Sequence, residues 1–395
     1  MPERYDIAVI GGGPSGSYAA ALLASGGHSV AVIERKQDTD VVPCCTGVVG
    51  TAYVELVGLE QDVIVSSARS ATFISPSGNR FRVESPQPQA IVLDRSLLER
   101  RLLQRVVGAG VEVRTGSVVT QIERCTTGFR IHSSAGLCRE SILARTIIVA
   151  AGVNPGLTSR LGLGAIRRYM VGAHAEVEMD GVSETEIYML QDEAPGLFAW
   201  LVPTGNHTVR VGVLAHRGAI GFLRRFLDRS VVASRLRSGE IHMSQRPVPV
   251  SPLGRTYSDG LIAIGDAAGH VKPTTGGGLY FGALAARVGV EVLGDALSKD
   301  DVSSVRLERF DRECQSAFGR EQRRGAFVRS LYGRLSPGRV DTLIGWAKGS
   351  NVVDSMIQSP SFSFDRHSGT LMTGLLRGLM SQLVRPDRST AGGST

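Results

Sequence analysis

The feature that most constrains this chain is a glycine-rich turn between a short apolar stretch and a helix of small residues. The segment YDIAVIGGGPSGSYAAALLASGGHSVAVIER reads as strand, turn, helix, turn and strand. Gly11, Gly13 and Gly16 form the spacing G-x-G-x-x-G at the first turn. These glycines permit a tight turn, close approach of a pyrophosphate, and close packing of helix on strand. The segment therefore predicts a dinucleotide-binding βαβ unit with helices on both faces of a parallel sheet.

Glu34 extends this prediction. It ends the second strand, 23 positions after Gly11, where a carboxylate can accept hydrogen bonds from both ribose hydroxyls. A 2′-phosphate would be repelled there, so we expect the bound dinucleotide not to be NADP. The glycine turn alone does not distinguish NAD from FAD.

Composition excludes several classes of protein. No apolar run approaches the roughly 20 residues that cross a bilayer, and a strand beginning at Tyr5 leaves no room for a signal peptide. Five cysteines among 395 residues, without metal-ligand spacing, indicate no disulfide framework and no metal site. We therefore expect a cytoplasmic protein. The net charge of +7 lies mostly in the C-terminal quarter, where it suits an anionic membrane, a phosphorylated substrate or a solvated helical surface; we expect no nucleic-acid partner.

The pattern along the chain predicts an α/β fold (α+β overall). A Rossmann-type FAD-binding domain is interrupted by an antiparallel-sheet substrate domain, and a C-terminal helical region follows. Alternating stretches such as HAEVEM and VRVGVLAH indicate the antiparallel sheet. The predicted FAD-binding domain comprises residues 1–70, 93–165 and 250–300. The substrate domain comprises 71–92 and 166–249, and the helical region 301–390. Leucines recur every four residues from 371 to 383, so this helix either seals the substrate domain or rests on a membrane.

A second glycine cluster lies in LIAIGDAAGHVKPTTGGGLYFG. Gly265 and Asp266 follow a buried strand, at the edge where α/β sheets bind ligands, and the aspartate can hold ribityl hydroxyls. Gly276, Gly277 and Gly278 then open a helix whose free N–H groups can face the pyrimidine edge of a flavin. An alternative is a simple helix cap made by Thr275. His270 and Lys272 are either phosphate contacts or surface residues, and we favour the surface.

Several motifs in order resemble those of the geranylgeranyl reductase family, within the flavoprotein group related to para-hydroxybenzoate hydroxylase. They are the N-terminal glycine turn with Glu34, VPCCTGVVG, the Asp94-Arg95 pair, AAGVNPGLTSRLG, PGLFAWLVP and GDAAGHVKPTTGGG. The resemblance covers about residues 5 to 300 and implies FAD as cofactor. It places FAD contacts at Gly11, Gly13, Gly16, Glu34, Arg95, Gly265, Asp266 and Gly276 to Gly278. An alternative for Arg95 is a surface partner for neighbouring acids.

The resemblance also implies where the chemistry lies. It places Cys44 or Cys45 near the flavin as proton donor or redox thiol, and the loop fits either register. It places Phe198, Trp200, Pro203 and Gly212 on the wall of a substrate tunnel. The sequence departs from the family pattern at Ala151, where Asp is usual. It also has Val202 for Phe and Leu214 for Gly. The first change puts direct reduction by NAD(P)H in question.

The activity implied is saturation of C=C bonds in a geranylgeranyl chain carried by a lipid, a diphosphate or a quinone. The expected partners are an isoprenoid or lipid substrate and a reductant, either NAD(P)H or a ferredoxin-like donor. Peripheral contact with the inner face of the membrane is a further expectation. Two alternatives stay open. One is an FAD-dependent aromatic monooxygenase or halogenase, which related folds also serve; the other is a flavoprotein that only carries electrons.

Overall fold

The computed structural model describes residues 2–37, 44–350, 352–359 and 362–384. Its strands are β1 (Arg4–Ile10), β2 (Val30–Ile33), β3 (Val48–Val49), β4 (Ile64–Ala68), β5 (Ser70–Ile74), β6 (Arg80–Glu84), β7 (Ala90–Leu93), β8 (Glu112–Arg114), β9 (Val118–Cys125), β10 (Gly128–Ala135), β11 (Cys138–Val149), β12 (Tyr169–Glu178), β13 (Thr185–Met189), β14 (Phe198–Gly205), β15 (Thr208–Ala215), β16 (Ser244–Pro249), β17 (Tyr257–Ser258) and β18 (Leu261–Ala263).

The α-helices are α1 (Pro14–Ser25), α2 (Thr51–Val57), α3 (Arg95–Gly108), α4 (Pro155–Arg160), α5 (Ala219–Asp228), α6 (Ser230–Ala233), α7 (Leu279–Ser298), α8 (Ser304–Cys314), α9 (Arg320–Tyr332), α10 (Pro337–Gly349), α11 (Val352–Ile357) and α12 (Ser368–Val384). Short 3-10 turns occupy Gln61–Val63, Gly265–Ala268 and Phe364–Arg366, and a π-helical turn occupies Gln315–Gly319. No helix among the described residues is long and apolar enough to cross a membrane.

The first sheet carries the predicted βαβ unit. Its strand order is β17-β18-β11-β1-β2-β8, and the hairpin β9–β10 extends it from β11. β1 pairs in parallel with both β11 and β2. Its Ile7 and Val9 share a core with α1 and α7, whereas Ala8 and Ile10 share one with β10 and α4. α1 begins at Pro14, because proline is well suited to the first helical position. The carboxyl ends of β1, β11 and β18 therefore meet at one edge.

The second sheet has the order β16-β12-β15-β14-β13-β5-β6 and is antiparallel except where β5 pairs with β13. The odd-numbered residues of β12, β14 and β15 pack against α5. Ala173 and Val211 of the strands and Leu223 of the helix are buried in this core. The even-numbered positions face the other way, as the two-residue period of a strand requires. A small third sheet, β3-β7-β4, is formed by strands that lie between β2 and β8 in the chain.

The predicted fold class is confirmed: a parallel-sheet nucleotide-binding layer, an antiparallel sheet and C-terminal helices are all present. The C-terminal helices return to the rest of the molecule, since α10 and α11 contact β6 and α12 packs on α9. The division into domains at residues 70, 93, 165, 250 and 300 remains a proposal.

Candidate functional site

One large cavity connects the glycine turn with the antiparallel sheet and the C-terminal helices. Its volume is about 1320 Å³, above the roughly 300–1,000 Å³ of ordinary ligand pockets. The lining begins at Gly11–Ser15 and Glu34, passes Cys44 to Val49, and ends among α10, α11 and α12. A cavity of this size can hold a dinucleotide together with a second, elongated molecule.

The glycines of the first turn serve different purposes. A Cβ on Gly11 would lie 2.5 Å from the Ala150 carbonyl oxygen, and one on Gly16 would lie 2.1 Å from the Gly11 oxygen. Both positions therefore need glycine for backbone packing. A Cβ on Gly13 would meet nothing within 4 Å, so the space beside Gly13 is open to the cavity. α1 has no side-chain cap, and its first N–H groups are free to bind phosphate.

Glu34 lies beside this turn. One carboxylate oxygen accepts the Gly12 N–H at 2.6 Å, and the other accepts the Lys36 N–H at 2.8 Å. These bonds fix the carboxylate at the cavity wall. Each oxygen keeps a further lone pair for a ribose hydroxyl.

The second glycine cluster also lines this cavity. We call the segment from Gly265 to Gly278 the cradle. Gly265 and Gly276 have φ values of +64° and +75°, which favour glycine. A Cβ on Gly278 would lie 2.4 Å from Asp266 Oδ1, so Asp266 can occupy its place only because residue 278 is glycine. α7 has no side-chain cap; the alternative that Thr275 caps it is wrong. Gly278, Leu279 and Tyr280, at the start of α7, line the cavity, and the N–H groups of a first helical turn have no partner within the helix.

The expectation that His270 and Lys272 lie at the surface is wrong. Both are 3% exposed. His270 packs edge-on against Phe318 at 5.1 Å between ring centroids. Burial lowers the pKa of His270 to about 3, so the imidazole is neutral.

Lys272 forms an ion pair with a residue far along the chain, Asp365. Its Nζ lies 3.2 Å from Asp365 Oδ1 and 4.3 Å from the Phe364 ring centroid. The same carboxylate oxygen accepts the Gly50 N–H at 3.0 Å. Burial lowers the pKa of Lys272 although Asp365 opposes the shift. Asp365 thus joins the cradle, the strand that follows the Cys-Cys turn, and the C-terminal region.

The Cys-Cys turn contributes both thiols to the cavity lining; residues 42–43 of its motif lie outside the described residues. Burial raises the pKa of Cys44, although Ser244 hydrogen-bonds it. Burial acts in the same direction on Cys45, but the guanidinium groups of Arg95 and Arg246 outweigh it and lower the Cys45 pKa. The two adjacent thiols therefore lie in different electrostatic environments.

Arg95 is buried, which excludes the interpretation as a surface residue. It hydrogen-bonds Cys45 and donates to Glu99 Oε1 at 2.9 Å, while its Nε has no partner among the described residues. A buried N–H without a partner is costly. Arg95 is therefore available to a bound molecule.

The four expected substrate residues occupy two kinds of position. Phe198 and Trp200 line the cavity, with 5.6 Å between ring centroids, whereas Pro203 and Gly212 are not among the described lining residues. A Cβ on Gly212 would lie 2.3 Å from Trp200 Cζ2. The Trp200 ring therefore lies flat over Gly212, which acts indirectly by making room for it.

Beyond these aromatics the wall is apolar. It includes Ile187, Phe73 and Phe81 from the sheet, and Ile344, Trp346 and Leu375 from the C-terminal helices. α12 therefore contributes to sealing the cavity. Sequence reasoning missed His174, Arg246 and Asp365, which also line it. For the first two, strand alternation was a usable signal, because His174 and Arg246 occupy even positions of β12 and β16.

The chain is similar to several known proteins. A family model described as an FAD binding domain matches residues 4–318. Digeranylgeranylglycerophospholipid reductase 1 of Methanopyrus kandleri is 30% identical over 331 residues, which cover 80% of this chain and 87% of the relative. A geranylgeranyl bacteriochlorophyll reductase-like protein of Thermoplasma acidophilum has a TM-score of 0.81 at 19% identity, with 96% of each chain covered. A halogenase crystallised with FAD shares the fold at a TM-score of 0.68 and 15% identity, over 96% of this chain and 84% of the halogenase.

Proposed function

The chain belongs to the geranylgeranyl reductase family of FAD-binding proteins, and on this premise we propose that it saturates C=C bonds of a geranylgeranyl chain carried by a lipid, a diphosphate or a quinone. Family membership confirms the predicted FAD cofactor and the predicted class of FAD-dependent oxidoreductase. The observation that carries the finer proposal is the cavity, which runs from the cofactor turn into a long apolar wall.

The residues of the cavity fit FAD. The open space at Gly13 and the free N–H groups of α1 suit the pyrophosphate, and Glu34 suits the adenosine ribose. Asp266 has a place for the ribityl chain beside Gly278, and the unpaired Nε of Arg95 is a further donor. We assign these residues, with Gly11, Gly16, Gly265, Gly276 and Gly277, to the cofactor site. When bound and reduced, FAD supplies a hydride.

An isolated alkene is not activated towards either hydride addition or protonation. The protein must therefore hold the alkene in a fixed position and exclude water from it. Phe198 and Trp200 provide flat apolar surface on the sheet, and the C-terminal helices close the far side. An extended hydrocarbon gains affinity along such a wall in proportion to the area that it buries.

The remaining requirement is a proton, and we assign it to Cys45. Hydride addition to one alkene carbon and transfer of the thiol proton to the other break the C=C bond's π component and leave a thiolate. Arg95 stabilises that thiolate, which regains a proton from solvent. A thiol with a lowered pKa is a better acid near neutral pH than Cys44, whose pKa is raised.

The electron source is proposed to be NAD(P)H or a ferredoxin-like protein. An anaerobic titration of the yellow protein with NADH, NADPH and reduced ferredoxin, followed at the flavin absorbance, separates them. The donor that bleaches the flavin within the turnover time is the reductant.

We also propose peripheral contact with the inner face of the membrane. Leu371 and Leu376 of α12 are 39% and 41% exposed, and Leu375 of the same helix lines the cavity. A lipid chain could therefore pass directly from bilayer to cavity. Flotation with phosphatidylglycerol vesicles tests this: Leu376→Glu should float less than the native protein, and equal flotation would contradict the proposal.

An anaerobic single-turnover experiment tests the reductase function. The holoprotein is reduced with dithionite and mixed with geranylgeranyl lipid, and flavin reoxidation is followed together with product mass. Reoxidation matched by a gain of two hydrogens per flavin supports the proposal. A flavin that stays reduced until oxygen enters, and then yields a hydroxylated or halogenated product, would overturn it in favour of a monooxygenase or halogenase.

A further inference from the structure

A strip of paired residues crosses the cavity face of the antiparallel sheet. Successive strand pairings join, in spatial order, Ser244, His174, Gly212, Trp200, Ile187, Phe73 and Phe81. Directly paired residues point to the same face of a sheet, so these form one continuous strip. The strip is polar at its β16 end and apolar at its β6 end.

Two nitrogens at the polar end have no partner. His174 is 7% exposed, and both its Nε2 and the Trp200 Nε1 are buried without a hydrogen bond among the described residues. Trp200 Cε2, the carbon that bears Nε1, would lie 2.5 Å from a Cβ on Gly212. His174 is the direct neighbour of Gly212 on the other side. The indole N–H and the imidazole therefore flank the same glycine.

Arg246 adds a charge to this corner. It lies on β16, next to the His174 strand β12, where it pairs with Gly172, and it lines the same cavity. Among the described residues its electrostatic neighbours are the Cys44 and Cys45 thiols and His174, and no carboxylate is among them. Glu176, the carboxylate that acts on His174, is held by Arg210 at 3.1 Å. Burial and the charges of Arg210 and Arg246 lower the pKa of His174 to about 4, so His174 is a neutral hydrogen-bonding group.

A cation with no carboxylate partner among the described residues, an N–H donor and a neutral imidazole together suit an anionic oxygen. We propose that Arg246, His174 and Trp200 form a subsite for the anionic polar end of the substrate, a phosphate or a carboxylate. The hydrocarbon then runs along the strip towards Phe73 and Phe81. This inference rests on the proposed reductase function and adds to it the orientation of the substrate and a requirement for charge.

Binding to the oxidised holoprotein tests the subsite without turnover. Isothermal titration compares geranylgeranyl diphosphate, geranylgeranoic acid and geranylgeraniol. We expect both anions to bind more tightly than the alcohol. Arg246→Gln should weaken the anions about 10- to 100-fold, the range for a hydrogen bond to a charged group, and leave the alcohol unchanged. A larger loss for the diphosphate than for the acid would identify phosphate as the preferred group.

Two controls separate the subsite from other effects. Arg224→Gln removes the same charge from α5, on the opposite face of the sheet, and should change no affinity. His174→Phe should weaken the anions less than Arg246→Gln does, because it removes a neutral partner. FAD content and Tm confirm that each variant is folded.

The position of reduction gives an independent measurement. If the anionic end is anchored, Arg246→Gln should change which double bond of geranylgeranyl diphosphate is saturated first, as seen by fragment masses of the product. Equal affinities for the alcohol and the anions, with unchanged regiochemistry in Arg246→Gln, would overturn the subsite while leaving the reductase function standing. Tight anion binding without any C=C reduction would instead overturn the proposed function and keep the subsite.

Discussion

Replacement of Gly212 by alanine is the sharpest test of how the cavity wall is built. Residue 212 has no positive φ, so alanine meets no backbone strain there. The obstacle is space: the new Cβ would lie 2.3 Å and 2.5 Å from Trp200 Cζ2 and Cε2, and 2.9 Å from the Ala173 carbonyl oxygen. Carbon atoms in ordinary contact are about 3.5–4.0 Å apart. The ring must therefore move by more than an ångström or the strands must separate.

Either response has a measurable cost. Overpacking of this kind typically destabilises a protein by about 1–3 kcal/mol. The indole is rigid, and the backbone oxygen of Ala173 on the neighbouring strand cannot give way without disturbing the β12–β15 ladder. We expect a value in the upper half of that range and a Tm lowered by several degrees.

Gly172→Ala is the matched control. Gly172 lies on β12 and on the same face of the sheet as Gly212. Its Cβ would meet Val248 Cγ2 at 3.5 Å and Leu214 Cδ1 at 4.0 Å, both ordinary contacts. Thermal unfolding is measured for both variants, and the emission of Trp200 is followed in a Trp346→Phe background. A Gly212→Ala protein with the Tm and emission maximum of Gly172→Ala would refute the assignment of Gly212 as the seat of the Trp200 ring.

Three further predictions follow from the cofactor side of the cavity. Gly16→Ala should abolish FAD binding because of backbone collision, whereas Gly13→Ala should keep the native apoprotein Tm and lose FAD affinity alone; absorbance at 450 nm and Tm distinguish them. Asp365→Asn leaves the Lys272 ammonium buried without its counter-ion and should cost about 3–5 kcal/mol by denaturant unfolding; a native midpoint would contradict that pairing. The pKa of the Cys45 thiol is lowered, so activity that depends on its proton should fall as the pH rises through that pKa. The thiolate is measured by its absorbance at 240 nm, as the difference between the native protein and Cys45→Ser. The absence of a thiolate signal below the usual thiol pKa would contradict this prediction.

Local patterns explain why the cofactor turn was predictable. The roles of Gly11 and Gly16 depend on neighbours in the same βαβ unit, and the strand, turn and helix are all visible within 31 residues. The ligand-binding turn after β18 was equally predictable, because Gly265 and Asp266 closely follow a buried strand. Fold class followed from the change between continuous apolar runs and alternating ones.

Long-range pairing explains what was missed. Lysine is rarely buried without a partner, and the partner of Lys272, Asp365, lies 93 residues further along the chain. Nothing in the helical period of the C-terminal region indicates which residue it brings to the cradle. His174 was overlooked for a different reason, since strand alternation gives its face but not the absence of a hydrogen-bonding partner.

The position of Asp365 bears on where substrate selection resides. The FAD-binding family model ends at residue 318, yet the counter-ion of the cradle lysine and much of the apolar wall come from residues beyond it. Asp365 also accepts the Gly50 N–H, so the C-terminal region holds the strand after the thiols as well as the cradle. Under the proposed function, changes in this region would alter the cavity wall without changing the nucleotide-binding layer. The likeness to a halogenase, at 15% identity over 96% of this chain, shows the fold alone, whereas the reaction proposed here uses the thiols, the polar corner and the C-terminal wall.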